Sequence, residues 1–243
     1  MTYNADWERE ARGWIALARL GDDAYWEYSP SFFELVSPPG RATIEIGAGE
    51  GRVARDLAER GHPVTGVDAS PTMLEAAAEE HAEGKYVLAD AAALPFPDDS
   101  FDLAVAYNSL MDIQDMPGAV REVARVLEPG KPFCICLTHP LADAGRFQAR
   151  EADAPFVIRG SYLDSRRVED TYERHGVRMT LCGWSYPLED YTRALEGAGF
   201  LIEALREPPQ RDDIVEADPA EARWQRLPQF LYLLAVSADG RAR

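Results

Sequence analysis

The segment Glu45-Ile-Gly-Ala-Gly-Glu-Gly-Arg52 constrains the fold of this chain more than any other. The apolar residues 42–46 predict a short buried strand, and residues 52–60 have helical spacing through Val53 and Leu57. Because three alternate glycines join the two elements, a ligand can lie against bare backbone, beneath the N–H groups that open the helix. The turn therefore favours a nucleotide-like ligand that carries a carboxylate or a phosphate.

Strands and helices alternate from residue 41 to residue 140, a pattern that predicts a doubly wound, mostly parallel sheet. Ser70 and Pro71 supply the N-cap and the first position of the second crossover helix, which is expected to run to Gly84. Five strands are predicted in this part of the chain, and a helix and two strands beyond it: strands at 42–46, 64–68, 85–89, 101–106 and 133–137, then a helix at 188–198 and strands at 200–205 and 230–236.

Two regions outside this alternation are rich in aromatic residues. Residues 1–40 predict an amphipathic helix with Trp7 and Trp14 a heptad apart, and residues 141–186 are irregular and polar with isolated aromatics. Either both regions pack on the edges of the sheet, or they form an apolar lid over the strand ends; the position of 141–186 after strand five favours a lid. The expected division is an N-terminal helical cap (1–40), a ligand-binding core (41–140), a substrate lid insertion (141–186) and the C-terminal part of the sheet (187–243).

Charge and composition exclude several classes of partner. The chain has 25 Lys and Arg against 42 Asp and Glu, a net charge of -17, and its basic residues are scattered, so a phosphate backbone is repelled. No apolar run approaches the roughly 20 residues that span a bilayer, and the first residues lack the pattern of a secretory signal. We therefore expect no nucleic-acid or membrane partner and a cytoplasmic location. The protein is expected to be a monomer or a homodimer.

Cys134 and Cys136 alternate in an apolar strand and are expected to share one buried face.

Polar side chains follow each of the five successive strands. In an open α/β sheet, ligands bind beyond the carboxyl ends of the strands, so these side chains are expected to converge on one site. They are Glu45 with the glycines, Asp68, Asp90, Tyr107 with Asn108, and His139.

Asp68 lies 17 residues beyond Gly51, where a carboxylate can accept hydrogen bonds from both hydroxyls of a ribose. NAD-binding and S-adenosylmethionine-binding proteins share that arrangement. Arg52 stands where a dinucleotide fold needs a small residue, and Glu45 and Glu50 would repel a pyrophosphate. A cationic sulfonium amino acid is instead favoured by nearby acids, so the charges favour S-adenosylmethionine.

Five motifs resemble those of a known family: Glu45–Arg52, Gly66-Val-Asp-Ala-Ser-Pro-Thr-Met-Leu74, Ala89-Asp-Ala-Ala-Ala-Leu-Pro-Phe96, Ser100-Phe-Asp-Leu103 and Arg125-Val-Leu-Glu-Pro-Gly130. They are similar to the successive motifs of class I S-adenosylmethionine-dependent methyltransferases, above all the small-molecule branch with a methyltransferase type 11 domain. The resemblance is dense over residues 41–140 and looser at 188–200 and 227–236. It implies an α/β, Rossmann-like, seven-stranded and mostly parallel sheet with an antiparallel last strand and helices on both faces.

The resemblance also implies roles for single residues. Glycines of the turn would contact the methionine part of the donor, Glu45 would lie near its amino group, and Asp68 would bind its ribose. Asp90 and the backbone of Ala91 would bind the adenine edge, and Met73 would pack near the adenosine. The expected donor-binding residues are Glu45, Gly47, Ala48, Gly49, Gly51, Asp68, Ala69, Met73, Asp90, Ala91, Tyr107 and Asn108, with S-adenosylhomocysteine as the product.

The acceptor is predicted to be a small molecule. The segment Tyr107-Asn-Ser-Leu-Met-Asp112 lacks the Asn/Asp-Pro-Pro-Tyr/Phe motif of enzymes that methylate amide-like nitrogens of bases or glutamine. Asp112 either orients an amine substrate or caps a loop, and O-, N- and C-methylation all stay open. The expected acceptor-binding residues are Tyr25, Trp26, Tyr28, Met111, Asp112, Phe156, Tyr162 and Trp184.

Methyl transfer from a sulfonium is an in-line displacement in which alignment alone contributes roughly 7–11 kcal/mol. A general base is needed only for an acceptor that arrives protonated. His139 is the candidate base, or else a strand-end histidine that caps backbone, and the scattered histidines predict no metal site. The alternatives are a protein or peptide methyltransferase, a binding protein without catalysis, and, less favoured by the glycine pattern, a nicotinamide-dependent oxidoreductase.

Overall fold

The computed structural model describes residues 5–238 of the 243-residue chain. Two helices precede the sheet, α1 (Ala5–Ala18) and α2 (Ala24–Phe33). Asp23 caps α2 by accepting a hydrogen bond from the Tyr25 N–H at 3.1 Å. The N-terminal region is therefore helical, as the spacing of Trp7 and Trp14 predicts.

The next part of the chain alternates as predicted. Ser70 caps the second crossover helix through the Met73 N–H at 3.1 Å, but this helix ends at Glu80 instead of near Gly84, because His81 leaves the helical conformation with a φ of -144°. The elements in chain order are β1 (Thr43–Ile46), α3 (Arg52–Glu59), β2 (Val64–Asp68), α4 (Pro71–Glu80), β3 (Lys85–Leu88), β4 (Leu103–Tyr107), a 3-10 turn (Leu110–Asp112), α5 (Met116–Val126) and β5 (Pro132–Thr138).

The region after β5 is more regular than its sequence suggests. It holds α6 (Pro140–Ala144), a short pair β6 (Gly145–Phe147) and β7 (Phe156–Ile158), and a long antiparallel hairpin of β8 (Arg166–Arg174) and β9 (Val177–Ser185). His175 and Gly176 form the two-residue turn with φ of 51° and 77°, the left-handed pair that suits a tight hairpin. The expectation of an irregular segment is wrong here. The polar strand β8 gains its order by pairing with β9.

The chain ends with α7 (Leu188–Gly197), β10 (Phe200–Arg206), α8 (Asp212–Ala217), a 3-10 helix (Pro219–Gln225) and β11 (Phe230–Ser237). The sheet order is β10-β11-β5-β4-β1-β2-β3. β11 runs antiparallel to β5 and β10, and β1 to β5 are parallel. The predicted fold class, a seven-stranded and mostly parallel sheet with an antiparallel last strand, is confirmed.

Each face of the sheet carries its own core. On one face α5 and α7 pack through Val120, Val123 and Leu195. On the other face α2 and α3 pack against the sheet, with Phe32 fully buried among Tyr107, Tyr232 and both strand cysteines. Cys134 and Cys136 therefore share one buried face, as predicted. Within residues 5–238, no helix has the length and apolar character that crossing a membrane requires.

We expect Phe32→Ala to destabilise the protein by about 3–5 kcal/mol, because it leaves a cavity beneath the α2 face. Equilibrium unfolding in urea measures this change. Leu163→Ala is the control, since Leu163 is 73% exposed and its loss is expected to stay within about 0.5 kcal/mol. Equal destabilisation by both substitutions would contradict this packing.

Candidate active site

A cavity of about 710 Å³ lies beyond the carboxyl ends of β1, β2 and β4. Its volume falls within the range of roughly 300–1,000 Å³ that is common for ligand pockets. The strand ends and the glycine turn form its floor, while residues of α1 and of the β8–β9 hairpin form its roof. The polar strand ends that the sequence places together, apart from His139, meet in this cavity.

The glycine turn depends on close backbone approach. Gly47, Gly49 and Gly51 have φ of 72°, 55° and 84°, a conformation that disfavours a side chain. A Cβ at Gly47 would lie 2.4 Å from the Cβ of Ser109, whose Oγ donates to the Ile46 carbonyl at 2.6 Å. Glycine is thus required at position 47 for the loop after β4 to pack on the turn.

Asp68 fixes the other side of the turn. One carboxylate oxygen accepts the Gly49 N–H and the other accepts the Ser70 N–H, both at 2.8 Å. Burial raises the pKa of Asp68, and these two N–H donors oppose the rise. Each oxygen has a second lone pair, and the residue lines the cavity. Asp68 can therefore hold the turn and still accept hydrogen bonds from a ligand.

Glu45 is a buried carboxyl without a full set of partners. It is 1% exposed and lines the cavity, and its Oε2 has no hydrogen-bond partner among the described residues. Burial raises the pKa of Glu45 well above its usual range, and Glu50 and Asp68 add to the rise, while Arg55 and Arg52 oppose it. Such a group is satisfied by a ligand that brings a positive charge or a hydrogen-bond donor.

Seven other residues expected to contact a donor line the same cavity. Asn108 has a φ of 48° and donates its N–H to the Cys136 carbonyl at 2.9 Å. The Tyr107 ring packs edge to face with Phe32 at 5.0 Å, which holds the end of β4 in the core. The set comprises Ala48, Ala69, Met73, Asp90, Ala91, Tyr107 and Asn108.

Helix α1 is held in place from two sides. Glu8 accepts hydrogen bonds from the hydroxyls of Ser70 and Thr72, the latter at 2.6 Å, which ties α1 to the start of α4. Glu10 accepts the Thr180 N–H of β9 at 2.9 Å. α1 thus bridges the core to the hairpin and covers the cavity.

The roof brings three indole rings to the cavity. Trp7 and Trp14 pack edge to face at 5.7 Å, and Trp184 reaches the cavity from β9. Arg167 on β8 pairs with Asp6 on α1 at the same boundary. The heptad spacing of Trp7 and Trp14 is the sequence feature that indicates this part of the roof.

Arg52 also lines the cavity. From the sequence it is notable only as a departure from the dinucleotide-binding motif. Its guanidinium lies 5.0 Å from the ring centre of Trp14 and 4.5 Å from that of Tyr25. It also donates to Asp23 Oδ2 at 2.5 Å. Arg52 therefore fixes the contact between α1, α2 and the glycine turn. Arg167, Cys182 and Gly183 likewise line the cavity outside every motif.

Asp112 lies where the segment after β4 meets the hairpin. A Cβ at Gly183 would lie 2.6 Å from Asp112 Oδ1, so this glycine makes room for the carboxylate. Burial raises the pKa of Asp112 well above its usual range; Asp143 and Asp68 add to the rise, and Trp7 opposes it. Asp112 and Trp184 are the two expected acceptor residues that line the cavity.

The aromatic residues of α2 do not line the cavity. Tyr25 donates to Asp56, Tyr28 packs on Phe230 at 4.8 Å, and both rings are buried in the core. Trp26 is 49% exposed on the outer side of α2. The amphipathic pattern of α2 is directed at the sheet, not at a ligand.

Three further residues expected at the acceptor also lie elsewhere. Met111 is buried in the core. Phe156 packs edge to face with Phe147 at 5.1 Å, and the Tyr162 hydroxyl accepts the Leu188 N–H at 3.1 Å. Phe156 and Tyr162 therefore make contacts within or next to the region after β5.

Gly51 does not line the cavity, although the resemblance places it at the donor. A Cβ there would lie 2.8 Å from the Cβ of Ala77 and 2.9 Å from the Tyr86 hydroxyl. Its role is to let α3 start close to α4 and β3.

His139 also lies outside the residues that line the cavity. It caps α6, with Nδ1 accepting the Leu141 N–H at 3.1 Å, and Nε2 lies 2.9 Å from Glu207 Oε1. Because Nδ1 accepts, Nε2 carries the proton and donates it to Glu207. Burial lowers the pKa of His139, while Glu207 opposes the shift. Both nitrogens are thus engaged, which suits the capping role and not that of a base.

In residues 5–238, no group of three or more His, Cys, Asp or Glu side chains is arranged to hold a metal ion.

Comparison with known proteins gives consistent matches. Residues 44–135 match the model of a methyltransferase domain family. The chain is 33% identical over 201 residues to a demethylmenaquinone methyltransferase of Tropheryma whipplei, covering 76% of this chain and 82% of that protein. Over 94 residues it is 35% identical to a malonyl-[acyl-carrier protein] O-methyltransferase of Serratia marcescens, covering 39% of this chain and 37% of that protein. An S-adenosylmethionine dependent methyltransferase structure from Mesorhizobium loti superposes with a TM-score of 0.71 at 27% identity, covering 89% of this chain and 99% of that one.

We expect Glu45→Gln to stabilise the ligand-free protein at neutral pH by about 1–3 kcal/mol, because glutamine is always neutral and burial here penalises the charged form of the carboxyl. The pKa of Glu45 is raised in the folded state, so the wild-type protein loses stability as pH rises through that pKa. Below the pKa of the unfolded chain both proteins carry a neutral side chain, and the difference is expected to vanish. Urea unfolding of both proteins from pH 4 to pH 8 measures it; a constant or reversed difference would contradict this environment for Glu45.

Proposed function

Since this chain belongs to the class I S-adenosylmethionine-dependent methyltransferases, we propose that it methylates a small-molecule acceptor held beneath α1 and the β8–β9 hairpin. The observation that carries the proposal is the covered cavity, in which the glycine turn and the strand-end acids face three indole rings. The demethylmenaquinone methyltransferase that the chain resembles is named for a small-molecule acceptor, which supports the proposal.

The residues of the floor fit S-adenosylmethionine. The unpartnered Glu45 Oε2 suits the cationic amino group of the methionine part, and that cation would also lower the raised pKa of this carboxyl. The positive-φ glycines leave backbone bare beside it. An anionic pyrophosphate would meet Glu45 and Glu50 at the same place, so the arrangement disfavours a dinucleotide.

The nucleoside part has matching groups farther along the cavity. Asp68 has lone pairs left for the ribose hydroxyls after binding Gly49 and Ser70. Asp90 and the backbone of Ala91 would bind the adenine edge, and Met73 would pack against the ring system.

When bound, S-adenosylmethionine supplies a methyl group that is already activated on a sulfonium. The protein then has to orient the acceptor and exclude water. The contacts of Glu8 and Glu10 hold α1 as a cover, and the indoles of Trp7 and Trp184 give the acceptor an apolar wall. Alignment in this enclosed space is the main source of rate acceleration.

The roof also bears on the size of the acceptor. A folded protein or a long peptide would have to displace α1 from Ser70, Thr72 and Thr180 before it reached the strand ends. A small molecule needs only the existing space.

His139 takes no part in this proposal, because it caps α6 and does not line the cavity.

The direct test is transfer of a labelled methyl group from S-adenosylmethionine to a small-molecule metabolite extract, with the product identified by mass spectrometry. We expect label in a low-molecular-weight product together with release of S-adenosylhomocysteine. Binding of S-adenosylmethionine with label appearing only in protein would contradict the small-molecule proposal.

We predict that Asp68→Ala weakens S-adenosylmethionine binding by at least about tenfold, or roughly 1.4 kcal/mol, because the ribose loses a charged acceptor. Isothermal titration calorimetry measures the affinity, and circular dichroism checks that the fold is retained. Asp170→Ala is the control, since Asp170 on β8 pairs with Arg146 and does not line the cavity. Equal affinities of Asp68→Ala and the wild type would contradict the role of Asp68.

A further inference from the structure

The charges that line the cavity are strongly unequal. Seven acidic residues and two arginines line it. Both guanidinium groups are paired, Arg52 with Asp23 and Arg167 with Asp6. The chain as a whole has a net charge of -17. The field of the cavity therefore attracts cations and repels phenolates and carboxylates.

Among these carboxylates Asp112 is placed for the acceptor. It follows β4 by five residues, on the segment that begins with Asn108 at the strand end. Its Oδ1 occupies the space that a side chain at position 183 would fill, so the hairpin closes directly over it. Trp7 and Trp184 line the same cavity from α1 and β9. A carboxylate under an indole roof is a pairing suited to an organic cation with an apolar body.

We infer that Asp112 binds the amino group of the acceptor, and that the acceptor class is a small amine with an aromatic or apolar body. This inference rests on the proposed function and names its substrate. The seven-to-two excess of acids and the position of Asp112 opposite Gly183 are the observations that carry it.

Methylation of an amine in this cavity requires one proton transfer and one methyl transfer. A protonated amine cannot attack, so it first transfers one proton to the Asp112 carboxylate and leaves a lone pair on nitrogen. A nitrogen–carbon bond then forms to the methyl group as the carbon–sulfur bond breaks, and the electron pair of that bond stays on sulfur. The product is a methylated ammonium and a neutral thioether. Asp112 returns its proton to water when the product leaves.

The surroundings of Asp112 favour this proton transfer. Facing it are Trp7 from α1, Asp68 from the end of β2 and Asp143 from α6, with Gly183 from β9. Burial, reinforced by the two acids, raises the pKa of Asp112, which makes its carboxylate a better proton acceptor than that of an exposed aspartate. Asp143 itself has a pKa raised to about 7 by burial, with Arg166 opposing the rise. The cluster can therefore accept a proton without a histidine.

The test compares amines with alcohols of the same shape on the wild-type protein saturated with S-adenosylhomocysteine. The probe pairs are tryptamine with tryptophol and phenethylamine with 2-phenylethanol, titrated by calorimetry. We expect each amine to bind at least about tenfold more tightly than its alcohol, because only the ammonium forms a charge-assisted hydrogen bond with Asp112. Asp112→Asn, which keeps the shape, is expected to abolish this preference, while Asp170→Asn leaves it unchanged.

A second arm uses tyramine, which carries an amine and a phenol, with S-adenosylmethionine as donor. We expect any methylated product to carry the methyl group on nitrogen. Amines that bind no more tightly than their alcohols, a preference that survives in Asp112→Asn, or O-methyl tyramine would each overturn the inference. Because the titrations start from a bound S-adenosylhomocysteine complex, a failure to form that complex would instead count against the proposed function.

Discussion

One carboxylate, that of Asp68, links the parts on which the cavity depends. Its two oxygens bind the Gly49 N–H in the glycine turn and the Ser70 N–H at the start of α4. The Ser70 hydroxyl then caps α4 through Met73 and donates to Glu8 of α1. A single strand-end acid therefore positions the floor of the cavity and, through one serine, its roof. Burial of a carboxylate is tolerated here because each oxygen has a backbone donor.

The floor and the roof of the cavity are built in different ways. The floor of the cavity uses local backbone features, namely positive-φ glycines and the ends of adjacent parallel strands. The roof and its margin are assembled from distant segments, with Asp112 after β4, Trp7 on α1 and Trp184 on β9. Substitution in the roof can change the acceptor without altering the turn, which is how one sheet architecture can serve many acceptors.

The sequence predicts the strand ends on the floor of the cavity well because each of their signals is local. Ser70 and Pro71 mark the start of α4, and the acids at the strand ends follow from the alternation of strands and helices. The roof is harder to predict. β8 has no apolar face of its own and depends on pairing with β9, so Arg166–Arg174 looks irregular in isolation. The aromatic residues of α2 pack on the sheet, and His139 caps α6, because tertiary contacts decide between a core role and a ligand role.

We propose that this cavity binds S-adenosylmethionine through Asp68 and Glu45 and leaves Asp112 to the acceptor. A crystal structure of the protein with S-adenosylhomocysteine tests it most directly. We expect the amino acid part beside Glu45 and the glycine turn, the ribose hydroxyls on Asp68, and the sulfur facing the space between Asn108, Asp112 and Trp184. A ligand outside this cavity, or one whose ribose contacts another residue while Asp68 binds only backbone, would contradict the claim.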